Sequence, residues 1–77
     1  MTEEQRLTLL ETCAREHSCS VADVRILEEK PLDLRNDPRP YMRKFVYWVR
    51  TEYPFQSGPA WADYGLTEFG RWDCWQD

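Results

Sequence analysis

The spacing of apolar positions changes from helical to strand-like along this chain. Over residues 3–17, Leu7, Leu10, Cys13, Ala14 and His17 recur three and four residues apart. At 100° per residue they share an arc of about 120°, while Glu4, Glu11 and Arg15 point elsewhere. This predicts an amphipathic helix over residues 3–17 with that stripe buried. Thr2 followed three residues later by Gln5 has the form of a capping box, in which two side chains satisfy the free N–H groups of a helix start. His17 in the last turn suits the negative end of the helix dipole.

Ser18-Cys19-Ser20 breaks the pattern, and residues 21–30 then read in two ways. As a helix capped by Ser20, with Val21, Val24 and Leu27 on one side, they make residues 14–27 resemble a helix-turn-helix. Its second helix would carry Asp23, Glu28 and Glu29 against only Arg25 and Lys30, a balance that repels phosphate. As a strand, residues 24–30 set apolar and β-branched side chains ahead of a charged edge that Pro31 ends. The strand is the expected form.

Pro31, Pro38 and Pro40, with Asn36 and Asp37 between them, mark residues 31–40 as a loop. Over residues 42–53, alternation places Phe45, Tyr47, Val49, Thr51 and Tyr53 on one face and Lys44, Val46, Trp48, Arg50 and Glu52 on the other. A helix is the rival, since Tyr41, Phe45, Val46, Trp48, Val49 and Tyr53 also collect on one side. Five consecutive β-branched or aromatic residues favour the strand, and a hairpin would set Glu28 and Glu29 against Arg43 and Lys44. Pro54 and Gln56-Ser57-Gly58-Pro59 form a second break, followed by one helical turn at residues 60–64 closed by Gly65. Residues 67–75 form a third strand, alternating Thr67, Phe69, Arg71, Asp73 and Trp75 with Glu68, Gly70, Trp72 and Cys74, with a bulge at Gly70. The expected fold is α+β: an N-terminal helix packed on a small antiparallel sheet of about three strands, within one domain spanning residues 1–77. A mostly α fold with a helix-turn-helix-like N-terminal half is the alternative.

The eleven aromatic residues all fall between Tyr41 and Trp75. Each buried ring removes roughly 150–250 Å² from water, more in sum than so small a core can hide, so some rings stay exposed. Trp48 or one of Trp61, Trp72 and Trp75 is expected on the surface, as an anchor for a partner. Trp72 and Trp75 also tie down the end of the sequence by docking on the core.

Charge is segmented. Residues 1–34 carry eight acids and four bases, residues 35–50 five bases (Arg35, Arg39, Arg43, Lys44, Arg50) and one acid, and residues 51–77 five acids and one base. The basic strip is either paired with the acids around it or free to meet an acidic partner.

The longest apolar run, residues 45–49, is far short of the ~20 needed to cross a bilayer, so no membrane span is expected. The polar, acidic N-terminus is unlike a secretory leader, which points to the cytoplasm. The three cysteines include no Cys-x-x-Cys pair, so reduced thiols are expected. Cys13, His17, Cys19 and Cys74 lack dedicated zinc spacing and read as packed thiols beside a helix-end histidine. No nucleophile–base constellation and no glycine-rich phosphate loop occurs, so neither catalysis nor a cofactor is expected.

Binding is the remaining class, with Arg39, Arg43, Lys44, Tyr47, Trp48, Arg50, Trp61, Trp72 and Trp75 as candidate contacts for a protein partner. In size and composition, though in no motif, the chain resembles the small stoichiometric inhibitors of phages and mobile elements such as anti-CRISPR proteins. That resemblance implies a nucleoprotein complex as target, with Glu3, Glu4, Glu11, Glu16, Asp63, Glu68, Asp73 and Asp77 as phosphate mimics or as ordinary solvated acids. The alternative is direct nucleic-acid binding, with Arg39, Arg43, Lys44 and Arg50 on phosphates and Tyr47 or Trp48 stacked on bases.

Overall fold

A computed structural model describes residues 1–75. Helix α1 (Glu3–Glu16) is followed by strands β1 (Arg25–Pro31), β2 (Phe45–Phe55), β3 (Gly58–Thr67) and β4 (Trp72–Cys74), with 3-10 turns at Val21–Asp23 and Pro40–Met42. The strands form one antiparallel sheet in the order β1-β2-β3-β4, and α1 packs across one face. This is the expected α+β arrangement with one more strand.

The capping box at Thr2 and Gln5 is formed in both directions. At the other end His17 caps the helix, Ser18 takes a left-handed φ of 54°, and the Cys19 N–H donates to the Ala14 carbonyl, the pattern of a Schellman motif. Glycine holds this position without a Cβ penalty. Ser18→Gly is therefore expected to raise stability by about 0.5–1 kcal/mol, seen as a Tm several degrees higher; an unchanged or lowered Tm would contradict it.

The buried arc of α1 is turned about 30° from the expected one. Leu9, Cys13 and Ala14 are buried while Leu7 is half exposed, because β4 packs on the Leu9 side: the Trp72 Nε1–H donates to the Gln5 carbonyl at 2.9 Å. Beneath α1 lie Ile26, Val49, Thr51, Ala62 and Tyr64 of the sheet, joined by Val24. Polar groups inside this layer are matched. Thr51 donates to the Ala62 carbonyl (2.7 Å) and stands 3.5 Å from the Cys13 thiol, and Tyr64 donates to Glu16 (3.0 Å).

Burial, with Cys13 and the Glu16 carboxylate close by, pushes the Tyr64 hydroxyl far above its ordinary 10.0. The hydrogen bond to Glu29 raises Tyr47, and burial near Glu16 raises the Cys74 thiol from 9.0. In each case the folded chain keeps a proton that the unfolded chain has released, so the contribution is complete below the unfolded pKa and is lost as pH climbs past it. Tm is expected to fall above about pH 9, and to fall less steeply in Tyr64→Phe; an equal slope in the variant would refute the assignment to Tyr64.

Three expectations are corrected. Residues 60–64 are not a helical turn but the middle of β3. Pro54 and Pro59 face one another across the β2–β3 ladder, beyond the reach of β1, whose first residue Arg25 lies opposite Glu52, and of β4, which covers only Tyr64 to Leu66. A proline there forfeits no ladder bond, so two apparent breakers flank a tight hairpin at Gln56-Ser57. Glu28 and Glu29 do not face Arg43 and Lys44, since the register sets them opposite Arg50 and Val49. Finally, residues 67–75 are not one strand: Glu68-Phe69-Gly70 make a turn, with Gly70 at φ 83° and its N–H donating to the Thr67 carbonyl.

A bulge between Phe45 and Tyr47 also reverses the expected face of Phe45. Instead of lying with Tyr47 and Val49, its ring covers Gly65 on the face away from α1, where it meets Trp75 with centroids 5.4 Å apart. Alternation alone cannot foresee this, because one extra residue flips the side chains preceding it.

Candidate functional site

The sheet face opposite α1 is covered at one end and open at the other. The loop after β1 supplies Leu32, Leu34 and the buried Met42, which together with Trp75 close over the buried Trp48. Trp75 is held by its backbone, whose N–H donates to the Asp63 carbonyl and carries the β3–β4 ladder one step further. Trp72 and Trp75 thus secure opposite faces of the sheet, as expected of them.

On the open end stands Trp61. It lies in mid-strand on β3, opposite Glu52, and is 65% exposed. Beside it Arg50 lies over both Trp48 (5.3 Å to the ring centroid) and Trp61 (6.0 Å). The guanidinium is fixed by two hydrogen bonds to Asp63, Nε–Oδ1 at 3.0 Å and Nη2–Oδ2 at 3.1 Å, and Asp63 also accepts from Trp48 Nε1 at 3.3 Å. Cross-strand pairing of Arg50 with Asp63 puts these groups on one face. The result is a preorganised row: buried indole, clamped guanidinium, exposed indole. An arginine already fixed this way loses little rotamer freedom when a partner arrives.

The other candidate contacts are dispersed. Tyr47 lies on the α1 side and donates to Glu29 at 2.6 Å, and Trp72 is tied to Gln5. Arg39 forms a two-point pair with Asp37, Arg43 donates to the Asp37 carbonyl at 2.7 Å, and Lys44 bonds Asp73 at 3.0 Å. Arg35 pairs with Asp33. The Arg39 guanidinium holds the Asp37 carboxyl below its ordinary value, and Arg35 does the same to Asp33. The basic strip is therefore matched by the protein's own acids and carbonyls, and Trp48, Arg50 and Trp61 are the members that converge.

Of the acids proposed as phosphate mimics, Asp63 and Asp73 are spent on Arg50 and Lys44, whereas Glu3, Glu4, Glu11 and Glu68 are exposed. Asp77 lies outside the described residues. The cysteines and His17 scatter as well. Cys13 faces Thr51, Cys74 faces Glu16 at 3.8 Å, and His17 stacks on Tyr53 with centroids 3.8 Å apart. Among the described residues no group of three or more His, Cys, Asp or Glu side chains is placed to hold a metal ion, and no helix is long and apolar enough to cross a membrane.

Three exposed rings, Tyr41, Phe55 and Phe69, carried no signal of exposure strong enough to single them out from the sequence. Phe69, 85% exposed at the tip of the β3–β4 turn, and Phe55, at the β2–β3 turn, stand in water. The nearest hint for Phe69 was its neighbour Gly70, which makes the segment a turn rather than a strand. No protein-family model matches the chain, and neither curated proteins nor solved structures give a match.

Proposed function

We propose that this chain is a non-catalytic protein-binding module whose partner contact centres on Trp61 and Arg50. The observation that carries this reading is the 65% exposure of an indole in the middle of a paired strand, next to a guanidinium already fixed by Asp63. Burying such a ring returns on the order of 2 kcal/mol, and Trp and Arg are the residue types that dominate interface energetics. The partner belongs to a nucleic-acid-handling complex, which the chain inhibits or regulates stoichiometrically. Exposed Glu3, Glu4 and Glu11 on α1 supply charge complementary to the basic surface such a complex presents. Direct binding of nucleic acid is disfavoured by the pairing of Arg35, Arg39, Lys44 and Arg50 with carboxylates, which phosphates would have to displace.

Trp61→Ser is expected to leave stability within ~0.5 kcal/mol, as for a surface position, and to weaken capture of the partner from host lysate at least about thirtyfold. Equal capture by the variant would end the proposal for this surface. Retention on DNA or RNA that falls steeply with salt and is lost in Arg43→Glu would favour the nucleic-acid alternative.

A further inference from the structure

Next to Arg50, on the side away from Trp61, the loop after β1 and the sheet enclose a recess of about 330 Å³, within the size range of small-ligand sites. Its walls combine apolar side chains, Leu34, Met42, Trp48 and Trp75, with the Arg50–Asp63 pair. Its rim is basic, with Lys30 from β1 on one side and Arg39 from the loop on another. We infer that this recess binds a carboxylate carried on an apolar body.

The charges lining the recess lead to that class of ligand. Asp63, the carboxylate in the wall, takes hydrogen bonds from Arg50 and from Trp48 Nε1, so its charge is balanced. Arg39 is balanced by Asp37. Lys30 differs. Its ammonium lies 5.3 Å from the Trp48 ring centroid, and among the described residues it joins no ion pair. Among the described residues, then, the Lys30 ammonium at the recess is a positive charge that no carboxylate pairs with, held against an aromatic wall. A carboxylate meets that charge through charge-assisted hydrogen bonds, and its apolar portion covers the indoles and Met42. A bare anion would leave those walls wet, so inorganic phosphate is a poor occupant. The carboxylate comes either from a chain terminus or free acid, or from an Asp or Glu side chain beside an apolar residue.

This site adjoins the Trp61 contact, sharing Arg50 and Trp48 with it, and is tested without any protein partner. The full chain is titrated with N-acetyl-leucine, which carries a terminal carboxylate, and with the blocked dipeptide acetyl-Glu-Leu-amide, which carries a side-chain one. Inorganic phosphate and acetyl-Leu-amide serve as controls. The readouts are calorimetry and the indole N–H resonances of Trp48 and Trp75. At least one carboxylate probe is expected to bind with a dissociation constant of about 1 mM or tighter, and both controls at least tenfold more weakly. Which probe binds better identifies the source of the carboxylate. Lys30→Gln, at an exposed position, is expected to weaken binding about tenfold with Tm unchanged, while Lys44→Gln, outside the recess, leaves it unaltered. Absence of binding by both probes up to about 10 mM, equal binding of phosphate, or no effect of Lys30→Gln would each overturn the inference.

Discussion

Replacing Gly65 by alanine is expected to destabilise the protein by about 3 kcal/mol, read as a Tm lower by roughly 12–24 °C for a chain of this size. Gly65 lies in β3 opposite Trp48, and a Cβ added there would overlap the Phe45 ring. That ring has little room to retreat, with Trp75 at 5.4 Å and the Lys44 ammonium 5.1 Å from its centre. The small gain in strand propensity on leaving glycine, below about 1 kcal/mol, does not offset that overlap. Phe45→Leu in the Gly65→Ala background should recover part of the loss, because the two positions contend for one space. A cost below 1 kcal/mol for the single substitution, or no coupling in the double variant, would show that the ring does not rest on Gly65.

Asp63→Ala should cost a similar amount, about 2–4 kcal/mol. One side chain, itself mostly shielded, satisfies the Trp48 indole N–H and both forward nitrogens of Arg50, with Trp48 only 7% exposed. Removing it leaves a buried donor without an acceptor and takes away the two bonds that orient the guanidinium beside Trp61. Asp63→Asn keeps one carbonyl oxygen for one donor and is expected to lose about half as much. The comparison has a functional arm too. If the Trp61 surface is the contact site, Asp63→Asn should weaken partner capture by more than its stability loss explains, since the anchor row loses its clamp. Denaturant titration of both variants checks the first claim; a loss for Asp63→Ala under 1 kcal/mol would refute it.

How far these features could be read from the sequence follows the range of the interaction. Local signals succeeded. The Thr2–Gln5 capping box, the proline-rich loop and the run of β-branched and aromatic residues Phe45–Val49 each act within a few residues, and each lies where its chemistry put it. Features that depend on register were not legible. Pro54, Pro59 and Gly65 are strong punctuators read singly, but each is accommodated because of what stands beside it in the sheet: an empty edge for the prolines, an aromatic ring for the glycine. The bulge ahead of Tyr47 moved Phe45 to the other face for the same reason. The excess of aromatic rings correctly required exposed ones, and Trp61 is among them, together with Phe55 and Phe69. Which tryptophan would be left uncovered depended on where the loop after β1 folded back, and no periodicity encodes that choice. The pairing of Arg50 with Asp63, thirteen residues away, and the recess beside Lys30 become visible only once that loop is laid over the sheet.

The bond from Trp72 to the first turn of α1 joins residues 67 positions apart. On a ribosome, the helix would therefore emerge long before the strand that covers its Leu9 side exists, and would wait with that flank unsheltered. Only when the sequence through Trp75 has cleared the exit tunnel can both layers close, so the helix cannot reach its final packing before the last strand is made.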